Sequence, residues 1–376
     1  MKILADQNMP LVEEFFSSLG RVERYDGRTV TAEQVHAADV LLTRSITQVN
    51  ANLLAQAHNL KFVGTATIGV DHIDQTYLSK RGIAFSSAPG CNAIAVAEYV
   101  ISALYAYSQD RDVLLRGKKL AIVGVGNIGK CLAQKLKYSG IELILCDPVR
   151  AQEGTLDEHV DIDTALAEAD FVTFHVPLVK FGEHQTKHLL NEKRIKALKP
   201  GMLIINASRG DVIDNQALLQ AKQSKQQLEL VLDVWENEPA ILTALMDECL
   251  YTSVHIAGHT LEGKARGTQM LYEALCKTLK LAPTKQLEAF LPIPVIGHCS
   301  LNETLDETDY GRIVHMIYDI RRDNGLMRAN LESQGFDVLR KQYPVRREFS
   351  TLSVSAPQAH QQKLQQLGFR IEKNEE

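Results

Sequence analysis

A glycine-rich segment directly after an apolar run restricts the folds that this chain can adopt. Residues 120–123 are apolar, and Gly124-Val125-Gly126-Asn127-Ile128-Gly129 follows with the spacing G-x-G-x-x-G. A helical pattern then covers residues 130–138. In a strand–turn–helix unit the first glycine permits a tight turn, the second lets the backbone approach a pyrophosphate, and the third lets helix and strand pack closely. The segment therefore predicts a dinucleotide site that includes Gly124, Gly126, Asn127, Ile128 and Gly129.

An acidic residue strengthens this prediction. Asp147 stands 18 residues after Gly129, at the end of the next apolar run. A carboxylate there can accept hydrogen bonds from the adenosine ribose hydroxyls and repel a 2′-phosphate, so the pattern favours NAD over NADP. The alternative is a structural glycine turn in which Asp147 only caps the strand, and the nearby Arg150 is the kind of residue that NADP enzymes use.

Short apolar runs alternate with helical patterns along most of the chain, which predicts an α/β fold with parallel sheets. In the first 90 residues we predict helices at 10–19, 50–57 and 74–81, and strands at 2–5, 40–43, 61–64 and 83–85. A buried helix at 92–107 then precedes six further strands, enough for a doubly wound nucleotide-binding sheet. These six strands are 120–123, 143–146, 171–175, 203–206, 230–234 and 251–254.

The last part of the chain follows a different pattern. A helix at 262–281 is expected to return to the first domain, and Leu-Pro-Ile-Pro at 291–294 reads as a linker. Beyond it we predict a small α+β unit with a strand at 348–354, a helix at 358–367 and a polar tail at 373–376. The predicted domains are 1–92 with 260–288, 93–259, and 289–376.

Charge and cysteine content restrict the partners. The 376 residues include 41 Lys plus Arg against 46 Asp plus Glu, a net charge of −5, so there is no positive field to attract nucleic acid or acidic membranes. The six cysteines form no Cys-x-x-Cys pair, which favours reduced thiols in a cytoplasmic protein. No apolar stretch approaches the roughly 18 residues that a membrane span needs, so we do not expect membrane insertion. Of the partner classes considered, we expect a small molecule.

Polar residues follow three of the predicted strands, at 206–210, 233–239 and 253–260. Strand ends line the ligand crevice of a doubly wound sheet, so Arg209, Glu238 and His255 could meet there. Arginine can hold a carboxylate bidentately, histidine can exchange a hydroxyl proton, and a glutamate can orient the histidine. This set suits hydride transfer between NAD and a 2-hydroxy acid. Glu236 competes with Glu238 for the acidic role.

The chain resembles the D-isomer-specific 2-hydroxyacid dehydrogenases. The family resemblance rests on VGVGNIG, FHVPL, NASRGDVID, LDVWENEP and HIAGHT. Similarity to one branch of that family rests on MKILADQNMP, LTRSITQVN, GTATIGVDHID, APGCNAIAVAEYV and HTLEGKARGTQ, and continues through YDIRRDN and YPVRREFSTL, where the wider family has no counterpart. The resemblance covers essentially the whole chain.

The resemblance implies a Rossmann-type NAD-binding domain, a flavodoxin-like substrate domain and a small α+β C-terminal dimerisation domain. It implies an NAD-dependent oxidoreductase that acts on a small phosphorylated 2-hydroxy acid and forms a homodimer. Three groups of residues match family positions: catalytic Arg209, Glu238 and His255; substrate-binding Ser45, Thr67 and His259; and cofactor-binding Asp147, Val176, Ala207, Ser208, Arg209, Asp233 and Gly258. Two features depart from the family pattern. His259 stands where relatives carry a tyrosine, and Ser253-Val254 stands where the family has Thr-Pro, a replacement from which we expect no change in chemistry.

Several alternatives remain open. His175 could act as a base, although packing or a cofactor contact fits its strand-end position better. Arg44, Arg346 and Arg347 are candidates for binding a phosphate, or are surface arginines. We expect no metal at His184, His188 and Cys146, since hydride transfer needs none. The substrate could instead be 3-phosphoglycerate or another D-2-hydroxy acid, or the chain could be an NAD(H)-sensing binding protein.

Overall fold

The computed structural model describes residues 1–301 and 304–372. The chain divides into two compact units, with Met1–Asn92 and His259–Ile293 in the first and Ala93–Gly258 and Pro294–Glu376 in the second. The C-terminal region thus belongs to the same compact unit as the glycine fingerprint, and the three-domain division stays a prediction. The polar tail predicted at 373–376 lies outside the described residues.

The first unit is built on a five-stranded parallel sheet with the order β2-β1-β3-β4-β5. Numbered along the chain, its strands are β1 (Lys2–Asp6), β2 (Arg21–Tyr25), β3 (Val40–Thr43), β4 (Phe62–Thr65) and β5 (Ala84–Ser87). This is the strand order of flavodoxin-like sheets, as predicted. Its helices are α1 (Val12–Phe16), α2 (Ala32–Val35), α3 (Gln75–Lys80) and α11 (Leu261–Thr278).

Two local predictions for this unit were wrong. Strand β2 was missed because it lies at the sheet edge and has arginines, Arg21 and Arg24, at its exposed positions. The partly buried Glu23 between them pairs with Lys2 at 2.9 Å. Residues 50–57 form turns rather than a helix. The Asn50 side chain accepts hydrogen bonds from the backbone N–H groups of Asn52 and Leu53, which competes with helical bonding.

Helix α11 brings the chain back to the first sheet, as expected. Its residues Leu271, Tyr272, Leu275 and Cys276 are buried in one apolar cluster with strand β1 and helix α1. The helix begins where the hydroxyl of Thr260 accepts a hydrogen bond from Gly263 N–H at 3.0 Å.

The second unit contains a six-stranded parallel sheet with the order β11-β10-β9-β8-β6-β7. The strands are β6 (Lys119–Val123), β7 (Glu142–Cys146), β8 (Phe171–Phe174), β9 (Met202–Asn206), β10 (Leu228–Leu232) and β11 (Tyr251–Thr252). All six predicted strands are confirmed, with small shifts at their ends. The strand order reverses direction at β6, so the glycine fingerprint that follows β6 lies at the switch point of a Rossmann-type sheet.

Helices cover both faces of this sheet. The first of them, α4 (Ala93–Arg111), confirms the predicted buried helix. The others between the strands are α5 (Asn127–Leu136), α6 (Pro148–Gln152), α7 (Ile162–Glu168), α8 (Glu192–Ala197), α9 (Asn215–Gln223) and α10 (Thr243–Asp247). Burial of every residue in β8 and β9 matches their continuous apolar sequences.

The C-terminal region has the predicted α+β character. A three-stranded parallel sheet contains β12 (His298–Ser300), β13 (Ser353–Ser355) and β14 (Arg370–Ile371). Its helices are α12 (Glu307–Ile317), α13 (Ile320–Gln334), α14 (Phe336–Lys341) and α15 (Gln358–Leu367). The strand predicted at 348–354 begins only at Ser353, because Phe349–Thr351 form a short 3-10 turn.

Within the described residues, no helix is both long and apolar enough to cross a membrane. All six cysteines are free thiols.

Candidate active site

Two neighbouring strands of the second sheet end beside each other and position the predicted acid–base pair. Leu232 at the end of β10 pairs in register with Thr252 at the end of β11. The segments that follow bring Glu238 and His255 together, with Glu238 Oε2 at 2.7 Å from His255 Nδ1. A carboxylate can only accept this bond, so Nδ1 carries the hydrogen and Nε2 of the neutral ring is left with a lone pair.

The second oxygen of Glu238 is also fixed, since Oε1 accepts a hydrogen bond from Trp235 N–H at 2.9 Å. Burial alone would raise the pKa of Glu238, but the hydrogen bond and charge of His255, with the Trp235 N–H and the nearby Arg340, hold this pKa below its usual value. Glu238 is therefore ionised at neutral pH.

Glu236 has different partners. Its Oε1 lies 2.6 Å from His188 Nε2, and its Oε2 accepts a hydrogen bond from Asn215 N–H at 2.9 Å. Of the two glutamates considered from sequence, the one paired with His255 is Glu238.

The backbone of the His255 loop is held by Asp233. This buried carboxylate accepts hydrogen bonds from Ser253 Oγ at 2.6 Å, Ile256 N–H at 2.7 Å and Ala257 N–H at 2.9 Å. The Asp233 carbonyl also accepts from His255 N–H at 2.7 Å. His255 itself has φ +58°, a left-handed conformation that is unfavourable for a residue with a side chain. The hydrogen bonds to Asp233 keep the loop in this conformation.

Arg209 lies in the loop after β9, the strand next to β10. Asn206 organises that loop, because its Oδ1 accepts from Ser208 N–H and Oγ while its Nδ2 donates to the Arg209 carbonyl at 3.0 Å. The Arg209 side chain is exposed and donates one hydrogen bond from Nη1 to the Ser208 carbonyl. Its other N–H groups are accessible to a carboxylate.

The glycine fingerprint has the geometry that a dinucleotide requires. Gly124 has φ +92°, and a Cβ on Gly129 would lie only 2.1 Å from the Gly124 carbonyl oxygen. Gly126, the N-cap of α5, has open space where a Cβ would be, and no side chain caps the helix. Backbone N–H groups at the start of this ten-residue helix can therefore receive a pyrophosphate.

Asp147 also fits the cofactor. It lies at the end of β7, where Oδ2 accepts from Val125 N–H at 2.8 Å and Oδ1 accepts from Arg150 N–H at 3.1 Å. These bonds hold the carboxylate against the glycine loop and leave further lone pairs for ribose hydroxyls. The Arg150 side chain is partly exposed.

The other predicted cofactor residues follow strands of the same sheet. Val176 and Gly258 are partly exposed, Ala207 and Ser208 are nearly buried, and Asp233 holds the His255 loop as described. Their contacts with NAD stay predictions. His175 is buried, Nε2 lies 3.0 Å from Thr173 Oγ1, and burial lowers its pKa to about 3. A packing role beside Gly124 fits this neutral imidazole better than acid–base chemistry.

The predicted substrate residues all belong to the first unit. Ser45 is exposed after β3, and Thr67 is partly exposed after β4. Thr67 Oγ1 lies 2.7 Å from Thr65 Oγ1 and donates to the Gly69 carbonyl at 2.8 Å, while the buried His72 bonds Thr65. His259, the first residue of the second segment of this unit, is partly exposed.

The structure corrects one phosphate candidate. Arg346 is buried, Nη1 donates to the Ala257 carbonyl at 3.0 Å, and Nη2 donates to the Ala95 carbonyl at 2.6 Å. Its guanidinium also lies 3.6 Å from the centroid of the Tyr318 ring. Arg346 is thus neither a surface arginine nor accessible to a substrate phosphate. Arg44 and Arg347 are partly exposed and stay candidates.

The three residues considered as metal ligands have separate surroundings. His184 contacts Gln152, and Cys146 is buried in β7. His188 instead lies beside Asp214 and Glu236. In the described part of the chain, these three residues place one possible ligand atom each within 4.8 Å of the other two. Hydrogen bonds within the protein account for this arrangement, and we assign no ion to it.

The residues that support the His255 loop were not predicted from the sequence. Ser253 was treated as a neutral replacement, yet its hydroxyl joins Asp233 to Tyr99, whose hydroxyl lies 2.8 Å away. Arg340 was not singled out, although its Nε donates to the His255 carbonyl at 3.2 Å. The position of Ser253, two residues before His255, could have indicated its role. The sequence does not indicate which backbone carbonyl Arg340 binds.

Two family models match parts of this chain. Residues 97–257 match the family model of the D-isomer specific 2-hydroxyacid dehydrogenase, NAD binding domain. Residues 290–368 match a second model, described as a domain of unknown function. The active-site strands and the C-terminal region thus match separate family models.

Solved structures share the fold. A proposed D-isomer specific 2-hydroxyacid dehydrogenase from Polaromonas sp. JS6 66 is 26% identical, with a TM-score of 0.62 over 75% of this chain and 98% of that chain. An NAD⁺-bound 3-phosphoglycerate dehydrogenase from Entamoeba histolytica has a TM-score of 0.63 over 74% of this chain and 95% of that chain. At 21% identity, the second likeness concerns the fold alone.

Curated relatives match over the whole chain. Erythronate-4-phosphate dehydrogenase from Pseudoalteromonas translucida is 59% identical over 99% of this chain and 100% of its own length. The protein of the same name from Tolumonas auensis is 49% identical over 100% of both chains. The chain therefore belongs to the D-isomer-specific 2-hydroxyacid dehydrogenase family, in the branch formed by its erythronate-4-phosphate dehydrogenase relatives.

Proposed function

We propose that this protein oxidises 4-phospho-D-erythronate to 3-hydroxy-2-oxo-4-phosphobutanoate with NAD, in the biosynthesis of pyridoxal 5′-phosphate. Relatives up to 59% identical over nearly the full chain bear the name erythronate-4-phosphate dehydrogenase. The structural observation that carries the proposal is the Glu238–His255 pair, which supplies an oriented general base at the strand ends.

Proton transfer falls to His255. Its Nδ1–H donates to Glu238, so the Nε2 lone pair accepts the proton of the C2 hydroxyl as the C2–O bond becomes a carbonyl. The imidazolium that forms is stabilised by the ionised Glu238 beside it. The positive charge therefore develops next to a carboxylate that is already fixed by Trp235 N–H.

Bound NAD would supply the hydride acceptor for C2, and the substrate would then lose one hydride and one proton. The residues proposed to hold this cofactor are the N–H groups after Gly126 and the Asp147 carboxylate, with Val176, Ala207, Ser208, Arg209, Asp233 and Gly258 as further contacts. Because Asp147 would repel a 2′-phosphate, NAD is favoured over NADP.

Substrate binding is assigned to exposed polar groups. Arg209 has accessible N–H donors that suit a bidentate bond to the substrate carboxylate. Ser45, Thr67 and His259 are proposed to contact the remainder of the substrate, and Arg44 or Arg347 to bind its phosphate.

We also propose that the protein is a cytoplasmic homodimer that pairs through its C-terminal region. Val295 and Val345 lie in that region and are 102% and 78% exposed. These exposed apolar side chains support the proposal that a second protomer covers this surface. The free state of all six cysteines is compatible with a reducing compartment.

Replacement of the two reacting groups tests these roles. We expect Arg209→Ala and His255→Ala each to reduce NADH formation at least about a thousandfold, while NADH fluorescence shows that His255→Ala retains cofactor binding. A near-normal rate in either variant would refute its assigned role. Wild-type protein that binds NADH but oxidises no 2-hydroxy acid would favour the sensing alternative.

A further inference from the structure

We propose that the C-terminal region, through Arg340 and secondarily Arg346, positions the general base His255 for the reaction. This inference rests on the proposed function and assigns a role to the region that matches a domain of unknown function. Both arginines are positioning residues, since they act on the His255 loop rather than on the substrate.

The His255 loop has a backbone conformation that must be held by contacts. His255 has φ +58°, and a residue with a Cβ relaxes from that conformation unless contacts hold it. Asp233 binds the N–H groups of His255, Ile256 and Ala257, so it restrains one side of the loop. Restraint on that side alone leaves the carbonyl groups to be satisfied by other donors.

Two donors from the C-terminal region bind those carbonyls. Arg340, in α14, donates from Nε to the His255 carbonyl at 3.2 Å. Arg346, just beyond α14, donates from Nη1 to the Ala257 carbonyl at 3.0 Å. The loop is therefore bound through its N–H groups by the Rossmann-type sheet and through its carbonyls by the C-terminal region.

Arg346 is itself immobilised. Its Nη2 donates to Ala95 at the start of α4, and its guanidinium stacks on Tyr318 at 3.6 Å. The Tyr318 hydroxyl donates to Asp323 at 2.7 Å, and the Tyr343 hydroxyl donates to the same oxygen at 3.0 Å. A buried cation held on three sides is a rigid support for the Ala257 carbonyl.

Arg340 has a second effect on the pair. Its positive charge is among the influences that keep Glu238 ionised, in addition to its bond to the His255 carbonyl. A single side chain thus contacts the base through its backbone and favours the charged form of the residue that orients it. Arg340 is only partly buried, so its replacement should leave the protein folded.

Arg328 provides a matched control. It also extends from the C-terminal region to backbone carbonyls of the same unit, donating to Met246 at 3.0 Å and to Cys249 at 2.7 Å. These carbonyls precede β11 and are not in the His255 loop. Loss of Arg328 removes a comparable attachment without removing the bond to His255.

The experiment compares full-length Arg340→Met, Arg340→Lys and Arg328→Met with the wild type in steady-state NADH formation. We expect Arg340→Met to lower kcat about tenfold with KM values within about twofold, and Arg340→Lys to recover part of the loss. Arg328→Met should keep kcat within about twofold of wild type while lowering Tm at least as much as Arg340→Met. An unchanged kcat in Arg340→Met, or an equal loss in Arg328→Met, would overturn the proposal.

A substrate-free measurement separates this inference from the proposed function. If the wild type oxidises no 2-hydroxy acid, the proposed function fails, and the support of His255 is then tested by NMR of its ring. The Nδ1 proton shared with Glu238 should shift or broaden in Arg340→Met and stay at the wild-type position in Arg328→Met. An unshifted signal in Arg340→Met would contradict the positioning role.

Discussion

Residues 93–258 and the C-terminal region share one compact unit but contribute different things to it. The first supplies the side chains proposed to react, with Arg209, Glu238 and His255 at the ends of adjacent strands. The second supplies none of these groups, yet its arginines bind the carbonyls of the loop that carries His255. A reacting group and its support can thus come from parts of the chain that match separate family models.

The largest loss of activity is expected from a change in the proposed acid–base pair of residues 93–258. We expect Glu238→Gln to lower kcat about a hundredfold, because the amide removes the negative charge that stabilises the imidazolium. Glu236→Gln is the matched control, since Glu236 bonds His188 and Asn215 instead. Steady-state kinetics of both variants decide the assignment, and a larger loss in Glu236→Gln would reverse it.

A smaller effect is expected at the anchor of the loop. Asp233→Asn replaces one acceptor oxygen with an amide donor, so at least one bond from Ser253, Ile256 or Ala257 is lost. We expect kcat to fall about tenfold and the free energy of unfolding to decrease by roughly 1–3 kcal/mol. Denaturant unfolding and NADH formation measure the two effects. Full activity with full stability in this variant would show that the bonds to Asp233 do not hold the loop.

The smallest effect concerns stability alone and lies in the C-terminal region. Burial raises the pKa of Asp323 to about 6, although the hydroxyl of Tyr318 and the charge of Arg346 oppose this. The folded state then keeps a proton that the unfolded chain loses, so this group makes stability fall as pH rises from about 4 to about 6. Asp323→Asn should remove that part of the pH dependence of Tm.

Asp319→Asn serves as the control for this measurement. Burial alone would raise the pKa of Asp319, but hydrogen bonds from Arg321 hold this pKa below its usual value. The contribution of Asp319 to stability is therefore lost only as pH falls below about 4. The Tm of Asp319→Asn should therefore run parallel to wild type between about pH 4.5 and 7. A parallel curve for Asp323→Asn as well would contradict the raised pKa.

Much of the fold follows from local patterns in the sequence. Strands β6 to β11 were predicted because parallel strands covered on both faces are continuous apolar runs. Edge strand β2 was not predicted, since three of its five residues are charged and it contains no continuous apolar run. At 50–57 the apolar spacing suits a helix, but the Asn50 side chain binds the backbone in turns instead.

For the site, sequence identifies the reacting residues more readily than their supports. Arg209, Glu238 and His255 stand in motifs at strand ends, where side-chain type indicates chemistry. Arg346 was considered for phosphate because an arginine suits phosphate, but the structure buries it against backbone carbonyls. Every residue has a carbonyl, so sequence does not reveal which one a distant arginine binds.

The activity proposed for this protein is the oxidation of a phosphorylated D-2-hydroxy acid with NAD. The most direct measurement is NADH formation by the wild type with 4-phospho-D-erythronate, D-erythronate, 3-phospho-D-glycerate and D-lactate, each with NAD and with NADP. We expect the highest kcat/KM for 4-phospho-D-erythronate with NAD. Turnover of 3-phospho-D-glycerate alone, or of none of these acids, would contradict it.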